Sequence, residues 1–180
     1  MTLVLLLGGA RSGKSDLALR LARTRDAPVA LIATAEAGDD EMAARIAQHR
    51  RERPPEWRTL EAPLELEQSL ASLADGTTAI IDCLTLWVSN LVLDGVESEV
   101  VRARAAAAAD QARRRDGLTI AVSNEVGMGI VPDSPLARTY RDLLGAVNAT
   151  WAAAADHAQL LVAGRLLTLT TAETLMDELR

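Results

Sequence analysis

The chain has 180 residues, a formal net charge of −6, 49% hydrophobic and 24% charged residues, which reads as one soluble globular domain, 1–180, with a sizeable core. The acidic balance argues against nucleic acid or an anionic membrane as partner, and three Trp, one Tyr and no Phe argue against a stacking platform for single strands. Cys83, the lone cysteine, excludes an intrachain disulfide, no apolar run approaches the roughly 20 residues of a membrane span, and the absence of a basic leader makes the cytoplasm the default location.

TLVLLL (2–7) is a continuous apolar run, as expected of a strand buried on both faces. Residues 14–25 come next as a helix with Leu17, Leu21 and alanines on one side, and VALIAT (29–34) reads as a second strand. A helix over 39–53 opens on Asp39 and Asp40, which suit its positive end. Pro63 fits the first turn of another helix, carrying Leu64, Leu66, Leu70 and Leu73 before Gly76. TAIID (78–82) and LTIAVS (118–123) are further strands, separated by an Ala-rich helix over 97–115 that ends in three Arg. A helix over 135–155, a strand at AQLLVA (158–163) and a short helix over 171–179 close the chain, the last opened by Thr170 and Glu173 at capping-box spacing. Alternating strands and helices predict an α/β P-loop domain of RecA-like type, mainly parallel in its sheet, with helices on both faces.

GGARSGKS, residues 8–15, fits G-x-x-x-x-G-K-[ST] between a predicted strand and a predicted helix, the context that phosphate binding requires. Its glycines let successive N–H groups face an anion, and the helix N-terminus adds roughly half a positive charge. Gly8, Gly9, Ala10, Arg11, Ser12, Gly13, Lys14 and Ser15 are therefore candidate nucleotide contacts. Lys14 is the only lysine among 19 basic residues, at a position where a compact charge must reach the β- and γ-phosphates. Ser15 can hold Mg²⁺, and Asp82, at the end of another buried strand, is the candidate second metal ligand. With no second lysine, an N-K-x-D guanine motif is impossible, which argues against a switch GTPase.

RIAQHRRERPPEW (45–57) carries His49, one of two histidines. Residues 45–58 hold Arg45, Arg50, Arg51, Arg53 and Arg58 against Glu52 and Glu56, a basic island in an acidic chain. Arginines also suit a helix end, but that leaves the histidine unexplained. His49 lies three residues after Ile46 and seven after Met42, on the helix's apolar stripe, so it should face the protein. Two readings stay open here: a packed structural histidine, or a nucleophile kept neutral by nearby cations that also stabilise phosphoryl charge. SNEVGMGIVP (123–132) comes after a strand, at the sheet edge where doubly wound folds bind ligands, and Glu125 could contact metal or a hydroxyl there. His157 lies in no motif and reads as structural, and Cys83 as a small buried residue.

The stretch DDEMAARIAQHRRERPPEWRTLE (39–61), with GGARSGKS and SNEVGMGIVP, resembles the bifunctional adenosylcobinamide kinase / adenosylcobinamide-phosphate guanylyltransferase family of cobalamin biosynthesis, from Leu3 to about Val162. The resemblance implies a histidine guanylylated by GTP, matched here by His49, with Lys14 as the other catalytic group. It implies nucleotide contacts at the phosphate loop, at Thr34, Ala35 and Glu36, at Arg50, Arg51, Glu52 and Arg53, at Glu61, and near Asp82. It further implies GTP or ATP and a corrinoid as substrates, Mg²⁺ as cofactor, and a homotrimer. A kinase using the phosphate loop alone, or a nucleotide-regulated binding module, remain the alternatives that the residues themselves allow.

Overall fold

The computed structural model describes residues 1–38, 40–51 and 54–180, apart from the side chains of residues 41, 42, 45, 49, 175 and 178. Its elements in chain order are β1 (Thr2–Gly8), α1 (Lys14–Arg23), β2 (Val29–Ala33), α2 (Asp40–Arg51), β3 (Arg58–Glu61), α3 (Leu66–Ala71), β4 (Thr78–Asp82), α4 (Leu84–Leu93), α5 (Ser98–Arg114), β5 (Leu118–Val122), α6 (Pro135–Ala154), β6 (His157–Val162), β7 (Arg165–Thr168) and α7 (Ala172–Glu178). They build a seven-stranded sheet in the order β3-β2-β4-β5-β1-β6-β7. Every neighbouring pair is parallel except β6 with β7.

The apolar runs divide between two faces because successive strand residues point to opposite sides. Leu3, Leu5 and Leu7 of β1 join Ile32, Ile81 and Ala121 in one cluster, packed against α3, α4, α5 and α6. Leu6 joins Leu31, Ile80, Ile120 and Val122 in a second cluster, covered by Ala18 and Ala22 of α1. In α5 the buried residues Val101, Ala105, Ala108, Ala109 and Ala112 recur at helical spacing, so small side chains let α6 pack close. Ser134 caps α6 by accepting from the Ala137 N–H at 3.5 Å, with Pro135 in the first turn.

Four expectations are corrected. No helix begins at Pro63; α3 starts at Leu66. Carbonyls that an earlier helix would use are held by side chains instead: Pro63 C=O by Asn90 Nδ2 at 3.1 Å, Leu64 C=O by Trp87 Nε1 at 2.9 Å. The strand expected to reach residue 163 stops at Val162, because Ala163 (φ 50°) and Gly164 (φ 74°) form a two-residue hairpin into β7. The cap of α7 is Thr171, whose Oγ1 accepts from Thr174 N at 3.3 Å, one residue later than expected. β3, α4 and β7 were not expected: β3 and β7 are short edge strands without apolar runs, and α4 is an apolar helix with no polar stripe to mark it. His157 is exposed at the start of β6, opposite Val4.

Candidate active site

At the carboxyl edge of the sheet β1 runs into the loop 8–13, and α1 starts on Gly13, whose φ of 98° a side chain would strain. At Gly8 a Cβ would collide with the Leu161 carbonyl oxygen and lie 2.8 Å from Ser12 Oγ. The β6–β7 turn braces this loop, since Gly164 N–H donates to Ser12 C=O at 3.1 Å. Lys14 is buried, its Nζ donating to Gly9 C=O at 2.7 Å and to Ser12 Oγ at 3.3 Å. Burial pulls its ammonium pKa below the ordinary 10.5, while the acidic groups Cys83 and Asp82 act in the opposite direction.

Asp82 ends β4, and Ser15 Oγ donates to its Oδ1 at 3.4 Å. A hydroxyl beside a carboxylate is a hard-oxygen pair of the kind that Mg²⁺ takes together with phosphate oxygens and water. The Asp82–Cys83 peptide bond is cis. Burial pushes the Cys83 thiol up to about 11, with Asp82 adding to the shift.

A cavity of ≈ 230 Å³ opens over these groups. Of the expected contacts, it is lined by Ala10, Arg11, Lys14, Ser15, Ala35, Arg50, Glu61 and Asp82. Gly8, Gly9, Ser12 and Gly13 shape the loop beneath. Thr34 is buried outside the cavity; its Oγ1 donates to Cys83 C=O at 2.7 Å and accepts from Cys83 N–H at 2.8 Å, tying β2 to the end of β4. Glu36 and Arg51 are exposed away from the cavity lining. Glu52, Arg53 and the side chain of His49 lie outside the described residues; the backbone of His49 sits in α2, one residue before Arg50. Arg50 reaches from α2 to Glu61 at the end of β3, with Nη2 and Oε1 2.5 Å apart. Glu125 does not line the cavity; its Oε1 accepts from Gly127 N–H at 2.5 Å. Cavity residues that sequence reasoning missed include Ile46, Cys83 and Leu86, and from the stretch 123–132, expected at this edge, Asn124 is the residue that lines the cavity. For Ile46 the helical spacing from Arg50 was the available signal, and within 123–132 nothing local marked Asn124 above the charged Glu125.

A glycine-rich loop between β1 and α1, an acidic strand end on β4 and one strand between them, in a mainly parallel sheet, define an α/β protein with a P-loop NTPase-like fold. A solved structure from Pyrococcus horikoshii OT3 shares the fold, with TM-score 0.58 over 95% of this chain and 87% of that one, at 7% identity. Residues 4–169 match the family model described as cobinamide kinase / cobinamide phosphate guanyltransferase. The bifunctional adenosylcobalamin biosynthesis protein CobP of Pseudomonas aeruginosa is 45% identical over 161 residues, covering 89% of this chain and 92% of that protein. The bifunctional adenosylcobalamin biosynthesis proteins CobU of Salmonella typhimurium and Escherichia coli are 42% and 38% identical, each covering 90% of this chain and 96% of theirs. The chain belongs to this cobinamide kinase / cobinamide phosphate guanyltransferase family, and is an enzyme of the transferase class.

Proposed function

We propose that the chain phosphorylates the terminal hydroxyl of adenosylcobinamide and then transfers GMP from GTP to that phosphate through a guanylylated His49. The observation that carries this reading is the position of Arg50. It neighbours His49 in α2 and pairs with Glu61 on the cavity that Lys14, Ser15 and Asp82 line.

In the first reaction the substrate hydroxyl oxygen attacks the γ-phosphorus of ATP or GTP, its proton is released to solvent, and the nucleoside diphosphate departs. Here the phosphate-loop N–H groups and Lys14 hold the phosphates and offset charge on the equatorial oxygens. In the second, a ring nitrogen of His49 attacks the α-phosphorus of GTP and pyrophosphate leaves. An oxygen of adenosylcobinamide phosphate then attacks the same phosphorus, the N–P bond breaks, and the histidine is regenerated. Ser15 and Asp82 would hold Mg²⁺, which neutralises phosphate charge.

Position-specific label tests both halves. Incubation with adenosylcobinamide, ATP and GTP, labelled either at the γ phosphorus of both nucleotides or at the α phosphorus of GTP, should place both labels in the corrinoid product. Label from the γ position alone would reduce the protein to a kinase, and label from neither would leave a nucleotide-regulated module.

A further inference from the structure

Three strands end side by side at the cavity, in the order β4, β5, β1. The register aligns Asp82 with Val122, and Val122 with Leu6. The first residues past β5 therefore lie between the phosphate loop and the acidic strand end. That residue pair is Ser123–Asn124, and Asn124 lines the cavity with Lys14, Ser15 and Asp82.

Both main-chain polar groups of Asn124 are held from the interior. Its N–H donates to Thr85 Oγ1 at 2.7 Å, and its C=O accepts from Asn148 Nδ2 at 3.0 Å. Asn148, 4% exposed, accepts through Oδ1 from Ser123 Oγ at 2.6 Å. Ser123 Oγ is also 3.4 Å from Thr85 Oγ1, and Tyr140 OH donates to Thr85 C=O at 3.2 Å. Hydroxyls and an amide inside an aliphatic core are unfavourable unless every member is satisfied. This network satisfies its members by fixing the main chain at residue 124. The Asn124 carboxamide makes no hydrogen bond among the described residues, so it is the group left to meet a ligand.

We propose that Asn124 is a catalytic residue whose Nδ2 donates to a non-bridging oxygen of the terminal phosphate of the bound nucleoside triphosphate. The proposal rests on the nucleotide reading above. A neutral donor suits the position: Lys14 supplies the charge, and the amide adds direction without repelling Mg²⁺. The same contact serves both reactions, because the terminal phosphate is transferred in one and departs within pyrophosphate in the other. A nucleoside diphosphate lacks that phosphate and should not sense the side chain.

Calorimetric titration of GTP and GDP with Mg²⁺, together with kinase rates and melting temperatures, tests this on wild type, Asn124→Ala and the isosteric Asn124→Asp. Asn124→Ala should lower kcat by about 100-fold, the scale of a lost oxyanion donor. It should weaken GTP and leave GDP affinity within about twofold, and Asn124→Asp should weaken GTP further by repulsion. GTP affinity and kcat at the wild-type level in both variants would overturn the proposal while leaving the nucleotide site intact. Equal weakening of GTP and GDP, or loss of the fold in both variants, would make Asn124 structural and overturn it too. A wild type that binds neither nucleotide would overturn the nucleotide reading itself.

Discussion

Lys14 shows how one residue serves the proposed reaction at a cost to the fold. Its ammonium is buried and its pKa lies below 10.5, so below the folded pKa the charged form is a steady cost. Between that value and 10.5 the unfolded chain holds the proton more firmly. Stability contributed by this group therefore rises with pH across that window. Lys14→Ala should leave the melting temperature at pH 7 unchanged or higher, while both activities fall by about 100- to 1000-fold; thermal melts and both rate assays check it, and normal GTP turnover would remove the phosphate-loop assignment. Cys83 beside the same cavity behaves oppositely. With its pKa up at about 11 against an ordinary 9.0, the folded thiol stays neutral, and the stability it contributes falls as pH rises through that interval. Native protein at pH 8 should resist a disulfide reagent such as DTNB, with a rate climbing about tenfold per pH unit as thiolate forms; rapid labelling at pH 8 would contradict this environment.

Among elements, those that carry the candidate site were legible in sequence because their signals are local. The runs in β1, β2, β4 and β5 are buried on both faces and so lack polar alternation, and the glycines of the loop after β1 mark a backbone conformation that side chains would strain. α4 was not legible: it starts directly after β4 with no side-chain cap, and Leu84, Trp87, Val88 and Leu91 bury most of its surface. The stretch 123–132 was legible as a sheet-edge segment, but not that Asn124 is its cavity residue, since that depends on β5 being threaded between β4 and β1, which no local pattern encodes. Glu125 held attention because it is charged, yet its carboxylate is spent on Gly127. Thr34 lies beside the cavity residue Ala35, but its hydroxyl is committed to the Cys83 backbone. The pairing of α2 with β3 through Arg50 and Glu61 joins two side chains 57% and 47% exposed, so it contributes within about 1 kcal/mol to stability. Glu61→Gln should therefore leave the melting temperature nearly unchanged while weakening GTP by about tenfold, the scale of one charge-assisted hydrogen bond. Titration and melting on one preparation measure both, and a lower melting temperature with unaltered GTP affinity would make Glu61 structural.

At the scale of the molecule, the sheet edge gathers residues distant in sequence, and a layer of helices packs behind it. Trp87 is the key to that layer: fully buried, it also donates to Leu64 C=O, fixing the chain between β3 and α3. Trp87→Ala should cost about 3–5 kcal/mol, read as a shifted urea midpoint, and a loss below about 1 kcal/mol would contradict the packing described.

The proposed chemistry turns on α2 as the element that brings a nucleophile to the phosphate cavity, and the protein alone can show it. Wild type and His49→Ala are incubated with GTP labelled at the α-phosphorus, without corrinoid, then denatured and counted. The expected result is an acid-labile, base-stable label on the wild type, as for phosphorus bound to nitrogen. A folded His49→Ala protein should carry no label, yet keep measurable kinase activity, because direct phosphoryl transfer needs no protein nucleophile. Label or GMP transfer retained in folded His49→Ala would contradict the covalent route.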